Sequence, residues 1–290
     1  MIWIVGSEGM LGRELSALAE AAGAPFIGTD RDVDITDPSS VQRFVSGRDI
    51  AAVMNCAAYT AVDAAEDDVE AAERLNARAP GHLAHAAAAA GARLIQVSTD
   101  YVFAGDRDEP LAEDEPAHPI GVYGRTKREG EEAVLASGCA YDIIRTAWLY
   151  GVHGRNFVSM MIRLMNERSE LRVVDDQIGS PTWARDLAGL LLHLAMNPQR
   201  PSGIYHYSNE GRTSWYGFAA AILEEARERR LVTGDVSIRP CSSDEYPTRA
   251  QRPTFSLLDK DRVRRTFDWA VPHWRDSLRS YLDILGEKHE

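Results

Sequence analysis

The first apolar run of the chain, Ile2–Val5, passes directly into a glycine-spaced turn, Gly6-Ser7-Glu8-Gly9-Met10-Leu11-Gly12, and then into a helical pattern. The alternation continues through the first half. Apolar runs recur at Pro25–Thr29, Ala52–Asn55, Arg93–Val97 and Asp142–Arg145. Helical stretches lie at about Met10–Ala22, Ser39–Val45, Glu70–Ala90 and Thr126–Ala136. Strand and helix in strict alternation predict a parallel sheet covered on both faces, with right-handed crossovers. The expected fold is α/β, a doubly wound sheet of Rossmann type. Gly23, Gly91 and Gly138 stand where helices should stop, as C-terminal caps do.

The pattern changes after Gly151. Proline and aromatic residues become denser around His153–Phe157, Gly179–Trp183, Gly203–Trp215 and Tyr246–Phe255. Helical patterns persist at Phe157–Glu167, Arg185–Met196 and Trp215–Arg230. We read a dinucleotide-binding domain over 1–151, rejoined by about 173–200. A smaller C-terminal substrate-binding lobe takes 152–172 and 201–290 and closes over the sheet. No internal repeat or long linker separates them, so the two are expected to pack tightly.

Bulk properties narrow the function. With 290 residues, 44% of them hydrophobic, the chain can bury a large core. Its formal charge of -12 disfavours nonspecific nucleic-acid binding, which needs clustered Lys and Arg. A local cationic pocket for a small anion remains compatible. Cys56, Cys139 and Cys241 are far apart and form no Cys-x-x-Cys, which argues against a zinc site or a disulfide framework. Free thiols in a reducing compartment are expected. Met1–Val5 reads as a strand and not as a signal peptide, and no apolar run is long enough for a bilayer, including Ala84–Ala90. A cytoplasmic protein with no membrane or nucleic-acid partner is the expectation.

The glycine turn, placed between a strand and a helix, lets the backbone approach a pyrophosphate whose charge the helix amides stabilise. Gly6, Gly9, Met10, Leu11 and Gly12 are thus cofactor candidates; a ligand-free tight turn is the alternative. Asp30, 24 residues after Gly6, can bind adenosine ribose hydroxyls. Arg31 follows it and would compensate the 2′-phosphate of NADP, so NADH and NADPH both stay open. Asp34 and Ile35 would flank the adenine. The small residues of Asn55-Cys56-Ala57-Ala58-Tyr59-Thr60 would let a cofactor cross the sheet edge. Ser98-Thr99-Asp100 ends the fourth strand, where ligands of such sheets gather. Thr99 can donate to a substrate oxygen and Asp100 can orient neighbours; capping and turn roles are the bland alternative. Tyr123 and Lys127 are four residues apart and share a helix face. A Lys ammonium there would lower the Tyr pKa and make it a usable proton donor or acceptor.

These elements occur together and in order, and the chain resembles the extended short-chain dehydrogenases/reductases, specifically the dTDP-4-dehydrorhamnose reductases. Matching segments run nearly end to end: Gly6–Gly12, Asn55–Glu66, Ser98–Gly105, Tyr123–Glu131, Arg145–Gly151, Asn156–Leu164, Val173–Thr182, Ser214–Ala220 and Tyr246–Leu258. Thr99-Asp100-Tyr101-Val102-Phe103 and Asp176-Gln177-x-Gly-x-Pro181-Thr182 are the specific ones. The resemblance implies reduction of the 4-keto group of dTDP-4-dehydro-6-deoxy-L-mannose to dTDP-L-rhamnose, the last step of dTDP-rhamnose biosynthesis, with NADPH or NADH. It implies Tyr123 as general acid, Lys127 on the nicotinamide ribose and Thr99 polarising the carbonyl. Met10, Leu11, Ala57, Ala58 and Tyr59 would line the cofactor. Thr99, Asp100, Tyr101 and Trp148 would contact the substrate, with Arg252 as a diphosphate clamp. Asn76 lies in the helix whose Asn supports the active site in many relatives.

One departure concerns metal. Some members bridge two subunits with magnesium through acidic residues on the first helix and after the Pro-Thr segment. Glu14 suits the first position, but the second falls on Arg185, which cannot ligate a cation. A magnesium-bridged dimer is not expected, and monomer and homodimer both remain open. A reductase or epimerase/dehydratase for another nucleotide-linked keto sugar would share the same cofactor site. A non-catalytic regulatory subunit, which keeps the fold while binding a partner enzyme, is a further alternative. Elsewhere, His82 and His85 lack a third ligand, Asp63–Glu73 reads as a solvated helix face, and Trp215 and Tyr216 read as packing residues.

Overall fold

The computed structural model describes residues 1–287. Short apolar strands alternate with helices: β1 (Ile2–Val5), α1 (Met10–Ala21), β2 (Phe26–Thr29), α2 (Pro38–Val45) and β3 (Ala52–Asn55). Two single turns, α3 (Val62–Ala65) and α4 (Val69–Ala72), lead through a π-helical segment, Glu73–Arg78, into α5 (Ala79–Ala90). Then come β4 (Arg93–Thr99), α6 (Val122–Ala136) and β5 (Ala140–Thr146). The strands form a six-stranded sheet in the order β2-β1-β3-β4-β5 and Gly203–His206. Every pairing is parallel. The winding direction reverses between β1 and β3, where such sheets open a crevice at their carboxyl ends. Register brings those ends level: Val5 pairs with Thr29 and Asn55, and Thr99 with Thr146.

Alternate residues of each strand feed two cores. Ile2, Ile4, Met54, Ile95 and Ile144 meet α1 and the helix Ala184–Met196 through Leu11, Leu15, Leu187, Leu190, Leu191 and Leu194. Trp3, Val5, Val53, Leu94 and Ile143 meet Val41, Leu83, Ala84, Ala87 and Val134 on the opposite face. The alanines of α5 bring that helix close to the sheet. A third core joins the helices Phe157–Glu167, Trp215–Glu228 and Trp274–Glu287 with the strand Glu170–Val174, which pairs in parallel with Ser237–Cys241.

The sequence expectations hold for the alternation and for most element ends, with two corrections. The first is α6, which begins at Val122 and not near Thr126. Its amino end has no cap from its own sequence; the Glu66 carboxylate accepts from the Val122 amide at 2.8 Å. A cap supplied from 56 residues away leaves no local trace. The second concerns the acidic stretch, which faces solvent as read but is also ion-paired. Asp63 pairs with Arg252, Asp67 with Arg249, Glu70 with Arg78, and Glu73 with Arg78 and Arg125.

The glycine turn fixes how α1 meets β1. Gly6 sits at φ +76°, a left-handed conformation that suits glycine. A Cβ on Gly12 would lie 2.1 Å from the Gly6 carbonyl oxygen, inside backbone that cannot yield. Gly12→Ala is therefore expected to destabilise the protein by about 1–3 kcal/mol or more, the scale of overpacking. A urea-unfolding midpoint that matches the parent would contradict this.

Candidate active site

A cavity of about 800 Å³ opens along the carboxyl edge of the sheet. Its floor comes from the glycine turn and the ends of β1, β2 and β3: Gly6, Gly9, Met10, Leu11, Asp30, Arg31, Asp34, Ile35, Ala57 and Ala58. Thr99, Asp100, Tyr101, Tyr123, Lys127 and Trp148 line the remainder. The structure thus brings most of the expected residues to one surface. Three lie beside it. Gly12 is packed under the turn. The Tyr59 main chain is bonded both ways by the Asn76 amide, which accepts from its N–H at 2.8 Å and donates to its carbonyl at 3.0 Å. Asn76 also donates to Thr126 Oγ1 on α6 at 3.3 Å, so it ties the loop after β3 to the helix of Tyr123.

Arg252 is the third. Its guanidinium donates to both Asp63 carboxylate oxygens, at 2.7 and 3.2 Å, and hydrogen-bonds the Tyr101 hydroxyl. It holds the C-terminal segment against the loops after β3 and β4. Tyr101 in turn meets the Tyr123 ring edge-on, with centroids 5.4 Å apart.

Tyr123 stands in the first turn of α6, whose Gly124 allows close approach to the turn that follows β4: a Cβ there would meet the Tyr101 carbonyl oxygen at 2.1 Å. Burial pushes the Tyr123 hydroxyl up to about 12, a hydrogen bond with Thr99 opposes this, and the Asp100 charge adds to it. The expectation of a lowered tyrosine pKa is therefore corrected: desolvation outweighs any nearby cation. The phenol stays protonated at neutral pH. Thr99 Oγ1 donates to Asp100 Oδ1 at 3.0 Å and accepts from the Tyr101 amide at 3.2 Å. Burial raises the Asp100 carboxyl to about 6 despite hydroxyl contacts from Ser256 and Thr99.

Lys127 lies one turn beyond Tyr123 and is buried. Its Nζ donates to the Val97 carbonyl at 2.7 Å. Burial lowers its pKa to about 8, with Glu131 and Cys56 opposing. Glu131, a further turn along, accepts from Arg145 Nε at 2.8 Å, Arg145 Nη2 at 2.7 Å and Ser98 Oγ at 2.6 Å. Burial alone would raise this carboxyl, but Arg145, Ser98 and Arg128 hold it below the usual range. Sequence reasoning gave Glu131 no role; its i+4 spacing from Lys127 was the available trace. Trp148, at φ +49°, stacks on Trp215 with centroids 3.7 Å apart and an interplanar angle of 11°. Arg155 and Thr36 also line the cavity and carried no motif, and Thr60 lines it at the end of the Asn55–Thr60 stretch. Arg185 approaches Glu14 within the same chain, at 4.0 Å. Among the described residues, no group of His, Cys, Asp and Glu is arranged to hold a metal.

The family model for the RmlD substrate binding domain matches residues 1–286. The chain belongs to this family. The RmlD-family relatives include the dTDP-4-dehydrorhamnose reductase of Streptomyces griseus, 44% identical over 290 residues, covering 98% of this chain and 93% of the relative. A probable dTDP-4,6-dihydroxy-2-methyloxan-3-one 4-ketoreductase of Streptomyces antibioticus is 42% identical over 300 residues, covering 100% of this chain and 97% of the relative. The crystal structure of the Bacillus anthracis dTDP-4-dehydrorhamnose reductase in complex with NADP superposes with a TM-score of 0.91, at 37% identity and 98% coverage of each chain. The RmlD-family fold is thus the one described above.

The buried Lys127 gives this RmlD-family chain a measurable pH signature. Its folded pKa, about 8, is below the 10.5 of a free lysine. Between those values the unfolded chain holds a proton that the folded chain has released, so stability rises with pH across the window. The increase is at most about 1.4 kcal/mol per pH unit. Lys127→Met is expected to remove this rise, read as the difference in unfolding free energy between parent and variant across the window. Parallel curves would refute it.

Proposed function

We propose that this protein is an NAD(P)H-dependent reductase that converts dTDP-4-dehydro-6-deoxy-L-mannose to dTDP-L-rhamnose. The observation that carries the proposal is the convergence of Thr99, Tyr123 and Lys127 on one cavity whose floor is a dinucleotide-type turn. A nicotinamide dinucleotide fits the residues present. Helix α1 starts at Gly9 with no side-chain cap, so its first amides are free for pyrophosphate oxygens. Asp30 and Arg31, both at the cavity, offer partners for ribose hydroxyls and for a 2′-phosphate. Gly6, Gly9, Met10, Leu11, Ala57 and Ala58 would hold the remainder, with Asp34 and Ile35 near the adenine and Lys127 on the nicotinamide ribose. The bound reduced nicotinamide supplies the hydride.

The chain's own residues manage the proton and the charge. When the sugar binds, Thr99 turns its one hydroxyl proton from Asp100 to the 4-keto oxygen and polarises it. Tyr123, kept protonated by its desolvated setting, gives its proton to the oxygen as negative charge develops. Lys127, anchored by the Val97 carbonyl, presents a cation whose charge Glu131 favours. Trp148, braced by Trp215, offers a flat wall to the sugar. Asp100 and Tyr101 position Thr99 and the phenol. Arg252 becomes a diphosphate clamp when substrate oxygens displace the Asp63 carboxylate. In this assignment 1–151 and about 173–200 hold the cofactor, while 152–172 and 201–290 hold the sugar nucleotide. The reaction is set in the cytoplasm, a location supported by three free cysteines, and its product serves cell-wall polysaccharide.

A second reading keeps the chemistry and changes the sugar. It is favoured by the 42% identity to the 4-ketoreductase of Streptomyces antibioticus, which acts on a different dTDP-linked ring by its name. Purified protein with each keto sugar, and with NADPH and NADH in turn, should show steady loss of nicotinamide absorbance with the rhamnose precursor. Absence of net oxidation would favour an epimerase or dehydratase, and oxidation only with the other sugar would favour the second reading. Tyr123→Phe is expected to lower turnover by roughly two or more orders of magnitude. Thr99→Val should lose roughly 10²-fold, the scale of one oxyanion donor. Near-parent rates in both variants would remove these residues from the mechanism.

A further inference from the structure

Most arginines of this chain find a carboxylate, as expected where 44 acidic residues face 32 basic ones. Arg155 does not. It lines the cavity, yet among the described residues it has no ion pair and no hydrogen bond. Of the other cations at the cavity, Lys127 is committed to the Val97 carbonyl, and Arg31 follows β2 beside Asp30.

The loop carrying Arg155 is built. Asn156 caps the helix Phe157–Glu167, accepting from the Ser159 amide at 3.0 Å. The same side chain donates to the Gly151 carbonyl at 2.7 Å and closes the loop on itself. Gly151 abuts the Met10 side chain; a Cβ on it would lie 3.0 Å from Met10 Cγ. The loop therefore leans on the first turn of α1, the turn whose amides have no side-chain cap. A guanidinium at the wall of a cavity that also holds uncapped helix amides matches the chemistry of a diphosphate. The amides neutralise one side of the group, and a planar fork can take two of its oxygens from another.

We propose that Arg155 binds a diphosphate group in this cavity, together with the uncapped amides of α1. Two molecules of the proposed reaction carry such a group: the dinucleotide cofactor and the dTDP-sugar. This assignment rests on the proposed function only for which molecules are tried, because binding is measured without turnover. The experiment titrates NADPH by its fluorescence and dTDP by calorimetry into the parent, Arg155→Ala and Arg155→Lys. An Arg163→Ala control removes an exposed cation from the following helix that is already paired with Glu167.

Arg155→Ala is expected to weaken one of the two ligands by about tenfold to a hundredfold, the range of charge-assisted hydrogen bonds. Arg155→Lys should recover only part of the loss, since a point charge lacks the fork. A loss confined to NADPH assigns the cofactor pyrophosphate, and a loss confined to dTDP assigns the sugar nucleotide. Affinities for both ligands within twofold of the parent, or an equal loss in Arg163→Ala, would overturn the proposal. Failure of the reductase assay would leave these binding outcomes readable.

Discussion

A buried carboxylate organises the cavity edge of this molecule. Glu131 takes the Arg145 fork on β5 and the Ser98 hydroxyl on β4 at once, with Arg128 completing its shell. One side chain of α6 thereby fixes that helix against two strands. Tyr123 and Lys127 lie on the same stripe, two turns and one turn away, so their distance from Thr99 follows from it. Burying such a group costs several kcal/mol unless every oxygen is satisfied, and here both oxygens are. The pair's contribution is alignment more than net stability. Removing Glu131 would leave the Arg145 guanidinium in the interior without its carboxylate, and removing Arg145 would leave Glu131 with Arg128 as its one cation.

How far the molecule could be read from its letters depended on the range of each interaction. The parallel sheet was legible because apolar runs and helical periods are local, and Ile2–Val5 and Ala52–Asn55 carry their ends in their own residues. The glycine turn was legible because one strand, one turn and one helix are contiguous. The start of α6 was not, since Glu66 caps it across the fold. Nor were the partners of the acidic stretch, because Arg249 and Arg252 arrive from the far end of the sequence. The expected downward shift of Tyr123 failed for a different reason. Spacing shows which groups can meet, but it does not show how much water they lose.

The site combines opposed electrostatic demands. Desolvation keeps the phenol protonated and at the same time lowers the affinity of Lys127 for its proton. Glu131 and Cys56 offset that second effect. Trp148, which forms the aromatic wall, adopts a left-handed backbone conformation; its carbonyl accepts from the Thr182 amide, and its ring lies flat on Trp215. Gly179 leaves room for it, since a Cβ there would come within 2.9 Å of the indole.

The capping of α6 by Glu66 also bears on the order of assembly. The carboxylate that completes the helix precedes it by 56 residues, so on a ribosome it has already emerged when Val122 is made. The segment around α3 is itself held by Arg249 and Arg252 from the far end of the chain. The surface that aligns the Tyr123 phenol is therefore complete only when the C-terminal segment has taken its place.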